Sequence, residues 1–304
     1  MSPHEHPVTG HHSASHDNTV IDWALLASHL EREAELYTPL YEQAAAWLGE
    51  LLTEGTGAGP EGVRRVLDIG SGPGVVSCLL ARAFPAAEVV AVDASAELLE
   101  RARARAAGLG LGERVRTHLA DFPEGLDALG GGDIIWSSKV LHHIGDQRQA
   151  VATLAGHLRP GGLLAVCEGG LPPRYLPRDL GIGRPGLQSR IDAAADEWFS
   201  TMREALPGFV HETEDWPAFL ADAGLRTPST RSFLLDLPAP LSDDALAFVL
   251  AVLSRAAEKC AERFDEEDRT TLARLTDPED AAGISHRPDA FLLSVQTVHT
   301  ARAQ

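Results

Sequence analysis

Three acids punctuate the first half of the chain, each closing an apolar run: Asp68 in VLDIGSGPG, Asp93 in VVAVDAS and Asp121 in LADF. The first stretch also packs Gly70, Ser71, Gly72 and Gly74 into a G-x-G-x-G turn. A strand feeding a glycine-rich turn and then a helix brings backbone N–H groups close to a ligand. A dinucleotide fingerprint needs G-x-G-x-x-G, and here Val75 stands where the third glycine belongs. Asp68, two residues before Gly70, would repel a pyrophosphate and suits a ligand with a positive amino group. No G-K-[ST] follows, so the P-loop reading fails as well.

Asp93, followed by Ala94, lies about 20 residues past the glycine turn, where an acid can accept both hydroxyls of a ribose. Asp121 can accept the exocyclic amine of an adenine while Phe122 covers a ring face. A cationic amino acid, a ribose and an adenine, laid in order across consecutive strand ends, describe S-adenosylmethionine (SAM). With DIIWSSKVLHHIGD and LRPGGLLAVCE following in order, the chain resembles the class I SAM-dependent methyltransferase family over about residues 63–168. The resemblance implies an α/β fold with a seven-stranded, mostly parallel, doubly wound sheet of order 3-2-1-4-5-7-6 and an antiparallel seventh strand. It also implies that Gly70 and Gly72 approach the methionyl group, Asp93 the ribose and Asp121 the adenine. It leaves the acceptor open.

Methyl transfer from a sulfonium needs alignment of acceptor, methyl and sulfur, and exclusion of water. A base helps when the acceptor is a hydroxyl or a protonated amine, and a carboxylate needs none. Ser137, Ser138, Lys139, His142 and His143, just past the fourth strand, should lie beside the sulfonium. His142 and His143 are the pair suited to base duty near neutral pH. Neighbours on a helical turn diverge by about 100°, so at most one should face the pocket. A packing or capping role for both is the alternative. Lys139 reads as a solvated surface residue. Arg174, Arg178, Arg184 and Arg190 stand against the single acid Asp179, so this loop is expected to clamp an anionic acceptor or to pair with surface acids. Tyr175, Trp198 and Phe199 could wall the acceptor, and Tyr37 or Tyr41 could close from the N-terminal side; Trp136 and Trp216 read as core. The stretch DIIWSSKVLHH offers only Asp133, before the fourth strand, as a carboxylate, so no metal site is expected.

The elements that must carry these residues follow from the whole chain of 304 residues. Its net charge of −18 disfavours nucleic acid and anionic membranes as partners, and points to a small-molecule acceptor or a peptide. No apolar run reaches the length of about 20 residues needed to span a bilayer. The polar N-terminus lacks signal-peptide character, and Cys78, Cys167 and Cys260 lie far apart, as in a reducing compartment; the expectation is a cytoplasmic protein. Oligomeric state stays open, a homodimer included. The expected organisation is a His-rich solvated tail at 1–19, an N-terminal helical lid at 20–57 and a SAM-binding core at 58–170. A lid insertion follows at 171–212, opening on a Pro/Gly-rich stretch without regular structure. Residues 213–304 complete the core around a helical insertion at 243–280. Trp23, Leu26 and Leu30 should share a face of the first helix, and Thr38 should cap the second. The functional expectation is a methyltransferase acting on an oxygen of a small molecule, with an Ala-, Gly- and Arg-rich composition compatible with specialised metabolism. Carbon or nitrogen methylation, a peptide acceptor, and a SAM-binding protein without transferase activity are the rivals.

Overall fold

Apolar runs of five to seven residues alternate with amphipathic helices, which favours parallel strands joined by helical crossovers. The computed structural model describes residues 23–304 other than Ala58, with side chains from Ala27 onward except Thr56. The tail at 1–19 and the side chains of Trp23 and Leu26 lie outside the described residues. Two helices, α1 (Trp23–Leu36) and α2 (Thr38–Thr56), precede the sheet. The alternating part runs β1 (Arg65–Ile69), α3 (Val75–Ala83), β2 (Glu88–Asp93), α4 (Ala96–Gly108), β3 (Val115–Leu119), β4 (Gly132–Ser138), α5 (Gln147–Gly156) and β5 (Leu158–Arg174). There follow α6 (Leu187–Glu204), α7 (Trp216–Asp222), β6 (Arg226–Leu237), α8 (Asp243–Lys259), α9 (Glu266–Thr276) and β7 (Leu292–Arg302).

The seven strands form one sheet in the order β3-β2-β1-β4-β5-β7-β6. β1 to β5 pair in parallel, whereas β7 runs antiparallel to both β5 and β6. Strand periodicity divides the core between the two faces. Val66, Val89 and Ile134 pack with Leu40, Leu48, Leu80 and Phe248 from α2, α3 and α8 on one side. Leu67, Val90 and Ile135 pack with Val151, Leu154 and Phe219 from α5 and α7 on the other. Among the described residues, no helix is long and apolar enough to cross a membrane.

Three local expectations are corrected. Thr38 does not cap α2: Tyr37 occupies the cap position without a side-chain bond, and Thr38 Oγ1 donates back to the Ala34 carbonyl at 3.2 Å. The third strand stops at Leu119, two residues before Asp121. The Pro/Gly-rich stretch after Glu168 is partly regular, because β5 continues to Arg174. β4 pairs with β5 only as far as Cys167, while β7 pairs onward to Arg174. Pro172 and Pro173 therefore lie where one flank of the strand has no ladder to serve, the place where proline is tolerated. Gly170, at φ +110°, allows this extension, since a Cβ there would come within 2.1 Å of the Val295 carbonyl oxygen.

The turn that opens α3 is equally tight. Gly74 sits at φ +77°, and a Cβ would lie 2.6 Å from the Ala102 Cβ and 2.9 Å from its Cα. Gly74→Ala should therefore destabilise the protein by about 2 kcal/mol or more through left-handed strain and overpacking. Urea denaturation measures this, and an unchanged midpoint would contradict the packing of α3 on α4.

Candidate functional site

A cavity of about 470 Å³ opens at the C-terminal ends of β1, β2 and β4, beneath α1. Crevices of this kind, outside the carboxyl ends of strands, are where open α/β sheets bind ligands. The glycine turn forms its floor. Gly70 and Ser71 donate their N–H groups to the Val92 carbonyl at 2.8 and 2.9 Å, which ties the turn to β2. Gly70 fits closely, because a Cβ there would lie 2.1 Å from Val140 Cγ2. Gly72 differs. At φ +53°, its Cβ would meet nothing within 4 Å, so the backbone itself faces open space in the cavity wall.

The acids are fixed by that turn. Asp93 accepts the N–H of Gly72 at 2.8 Å and of Ser95 at 2.9 Å, which sets the orientation of its carboxylate. Asp68 is buried and accepts the Ser77 hydroxyl at 2.5 Å. Burial pushes its carboxyl up to about 7, against the Ser77 hydrogen bond and with a further push from Asp93. Ser71, Ala94, Asp121, Phe122 and Ser138 also line the cavity. Ser137 does not: it is fully buried and points to the opposite face of β4 from Ser138.

Beyond β4, the two histidines part. A 3-10 turn at Leu141–His143 brings His143 into the cavity wall and leaves His142 behind it. Glu168 of β5, just past the last pair with β4, accepts the N–H groups of Val140 and Leu141 at 2.8 and 2.7 Å, and His142 Nδ1 lies 2.9 Å from its other oxygen. Arg203 of α6 grips the same turn, donating to the carbonyls of His142 and Ile144 at 2.8 and 2.6 Å. Burial holds the His143 imidazole below its ordinary value, with His142 and Arg203 adding to the effect and Glu168 opposing it. These surroundings favour its neutral form.

Lys139 is half-buried and ion-paired in the cavity wall, not a free surface lysine. Its backbone is left-handed, at φ +57°, which is costly for a residue with a Cβ and is found where surrounding contacts over-determine it. Its Nζ donates to Glu33 Oε1 of α1 at 2.7 Å and stands 4.7 Å over the Tyr37 ring. Burial works against the ammonium, but Glu33, Tyr41 and Tyr37 outweigh it and hold the group above the usual lysine range.

The expected acceptor contacts are mostly redirected. Tyr41 lines the cavity, its ring edge-on to Trp136 at 6.2 Å. Tyr37 is buried behind Lys139 and donates its hydroxyl to Ser294 Oγ at 3.0 Å. Tyr175 is 1% exposed, part of the main core rather than a cavity wall. Three of the four arginines pair with acids, the alternative to a clamp. Arg184 and Arg190 converge on the buried Asp268 of α9 at 3.0 and 2.6 Å, and Arg174 lies 3.6 Å from Asp192. Arg178 is exposed, and none of the four lines the cavity. The loop's positive charge serves to tie 171–190 to α6 and α9, because a buried acid such as Asp268 requires cationic partners. Trp198 and Phe199 stand outside the cavity too, Trp198 beneath Lys259 and Phe199 against His142. Trp136 and Trp216 are buried, though Trp136 also reaches the cavity wall. Among the described residues, no three His, Cys, Asp or Glu side chains cluster as metal ligands.

Residues 66–162 match the family model described as a methyltransferase domain. That stretch, from β1 into the start of β5, is similar to a methyltransferase domain. An uncharacterized methyltransferase of Mycobacterium bovis is 40% identical over 107 residues, 35% of this chain and 51% of that protein. A trans-aconitate 2-methyltransferase of Rhodopseudomonas palustris is 39% identical over 103 residues, 34% of this chain and 38% of that protein. The chain thus spans about half or less of the curated relatives it matches. The solved structure of the YcgJ protein from Bacillus subtilis is 20% identical and covers 84% of this chain and 98% of its own, with a TM-score of 0.44.

Three residues that shape the candidate site escaped sequence reasoning, Glu33, Glu168 and Arg203, while Lys139 was placed there by its position past the fourth strand but read as solvated. Glu168 left a trace, since an acid closes the apolar run LLAVC just as Asp93 closes VVAV. Arg203 left none, because a helix arginine becomes a turn clamp only through the packing of α6. Glu168→Ala should cost about 3 kcal/mol or more, since it leaves two buried N–H groups and an imidazole without an acceptor. Glu168→Gln should cost less, its amide oxygen still accepting. Chemical denaturation of both variants checks the order, and equal stability of Ala and wild type would contradict it.

Proposed function

We propose that this chain is a SAM-dependent methyltransferase that transfers a methyl group to an oxygen of a small-molecule acceptor, with His143 as the base. The observation that carries the reading is the row of acids along one cavity, Asp68, Asp93 and Asp121, with the open Gly72 backbone between the first two. The residues fit the cofactor. Asp93 keeps free lone pairs for two ribose hydroxyls, Asp121 and Phe122 offer an acceptor and a ring face for adenine, and Asp68 suits an α-ammonium. When bound, SAM supplies a methyl group activated by a sulfonium for in-line displacement. The cavity walls exclude water from it, and α1 covers the opening with Leu30, Glu33 and Ala34. His143 would take the proton from an acceptor hydroxyl, a role its neutral imidazole supports. Specialised metabolism and an acceptor of low molecular mass complete the reading.

Calorimetry with S-adenosylhomocysteine and with NAD tests the cofactor. The homocysteine ligand should bind and NAD should not, and the reverse result would sink the reading. Asp68 adds a pH signature. Its carboxylate holds the ligand's ammonium, and the group is protonated below about 7. Affinity should therefore fall as pH drops from about 7 toward 5.5, by up to about tenfold per unit. Asp68→Asn should flatten that slope, and a slope unaltered by the change would refute the contact. For the chemical step, His143→Ala should lower kcat by about 10²-fold with cofactor affinity retained. Full activity of the variant would leave alignment alone as the mechanism.

A further inference from the structure

One stripe of α8 runs from the core out to solvent. Phe248, Arg255 and Lys259 are spaced seven and then four positions apart, which sets them within about 20° of a common helix face. The stripe begins buried, with the Phe248 ring stacked on His29 of α1 at 6.3 Å. Two turns later it emerges as Arg255 and then Lys259, both exposed. Lys259 Nζ stands 4.6 Å over the ring of Trp198 in α6. The next α6 residue, Phe199, faces His142 at 5.7 Å, and His142 lies 4.1 Å from His143. α8 therefore runs from the helix that covers the cavity toward the histidine that walls it. His143 is exposed although it lines the cavity, so the cavity opens beside it, and α1, α8 and α6 bound that opening. Charge reports the same neighbourhood. After burial, His142 and Arg203, Lys259 is among the groups that hold the His143 imidazole below its ordinary value. Burial lowers His29 in the same way, and Arg255 adds to it.

The other cations near this opening are committed. Arg263 pairs with Glu197 at 3.4 Å, Lys139 with Glu33 at 2.7 Å, and Arg203 donates to backbone carbonyls. Arg255 and Lys259 form no ion pair with any described residue. In a chain of net charge −18 an anion is repelled at long range, and two uncommitted cations beside one opening reverse the local sign. We infer that Arg255 and Lys259 form an anion site at the mouth of this cavity, and that the methyl acceptor carries a carboxylate which docks there. The inference rests on the reading of the cavity as a SAM site with His143 on the acceptor side, and adds to it the acceptor's charge.

The two ends of the site ask different things of one molecule. His143 requires a hydroxyl, and α8 requires a carboxylate that serves as an anchor and is not itself methylated. Trp198 and Phe199, half-buried along the contacts that join Lys259 to the histidines, offer aromatic surface to a flat body. The class that meets all three is a hydroxyaryl carboxylate, with its two polar groups on opposite sides of the ring.

The probes 4-hydroxybenzoate and 4-hydroxybenzamide share the ring and the hydroxyl and differ in charge. Each is titrated into the protein loaded with S-adenosylhomocysteine and into the unloaded protein, following the NMR signal of the His143 imidazole, assigned through His143→Gln. One double variant, Arg255→Gln with Lys259→Met, removes the site and keeps an apolar stem over Trp198. A second, Arg64→Gln with Arg82→Gln, removes the same charge from two exposed arginines elsewhere. In the wild type the benzoate should shift the His143 signal and bind about tenfold tighter than the amide at low salt. That preference should shrink as salt rises to about 0.5 M. The α8 variant should lose the preference while its affinity for the amide stays within about twofold, and the second variant should keep it. Equal affinity for the two probes in the wild type, a preference that survives in the α8 variant, its equal loss in both variants, or a His143 signal that the benzoate leaves unmoved overturns the site. Calorimetry on the same samples should give one affinity for S-adenosylhomocysteine in all three proteins, which shows the α8 variant to be folded. A wild type that does not bind S-adenosylhomocysteine refutes the SAM reading instead, and the two probes on the unloaded protein still decide the α8 site.

Discussion

A buried carboxylate on β5, just past its last pair with β4, accepts two backbone N–H groups and faces an imidazole of the turn that follows β4, and the cavity takes its shape from that junction. Glu168 is 5% exposed, so those partners are what make its charge tolerable there. By engaging His142 it settles which of two adjacent histidines faces inward. By holding the N–H groups of Val140 and Leu141 it fixes the chain just past Lys139, whose left-handed backbone is sustained by contacts on either side. Val140, placed by the same bonds, is the side chain that leaves room only for glycine at position 70. The β1 turn and the β4 turn are thus fitted to each other through a carboxylate that belongs to neither.

Around this junction the site divides its labour by element. The parallel strand ends supply rigid groups whose positions follow from sheet register: Asp68 opposite Ala91 and Trp136, and Asp93 at the end of β2. Sites built on strands are held more closely than sites on loops. The added helices supply the variable side. α1 brings Glu33 over the opening, and α6 holds the β4 turn through Arg203. The loop between β5 and α6 is fastened by arginines to Asp192 and Asp268, and so acts as scaffold for those helices. A chain with a net charge of −18 still places a lysine in the wall of its cavity, paired with Glu33.

The row of acids and the glycine turn that the structure brings to one cavity were legible because their signals are local. A glycine turn needs positive φ, an acid closes a strand, and both survive as residue types at fixed spacing in VLDIGSGPG and VVAVDAS. The sheet order was legible through resemblance, since no periodicity specifies which strand neighbours which. What stayed hidden depends on contacts between distant segments. Lys139 looks like any exposed lysine until α1 brings Glu33 to it from more than a hundred positions away. The arginines of the 171–190 loop carried a visible charge reversal, but Asp268, which absorbs two of them, lies 78 positions beyond Arg190. The extension of β5 through GGLPPR ran against its composition, because pairing with β7 on one flank alone is enough to keep prolines in an extended strand.

The central claim is that one cavity, floored by the β1 turn and walled by the turn Glu168 holds, carries SAM with its reactive carbon toward His143. A crystal structure of the protein with S-adenosylhomocysteine tests it most directly. The account predicts the ribose hydroxyls on Asp93, the adenine against Phe122 with its amine toward Asp121, and the sulfur on the side of the cavity that His143 lines. Electron density for the ligand elsewhere on the molecule, or in this cavity with its sulfur turned away from His143, would contradict it.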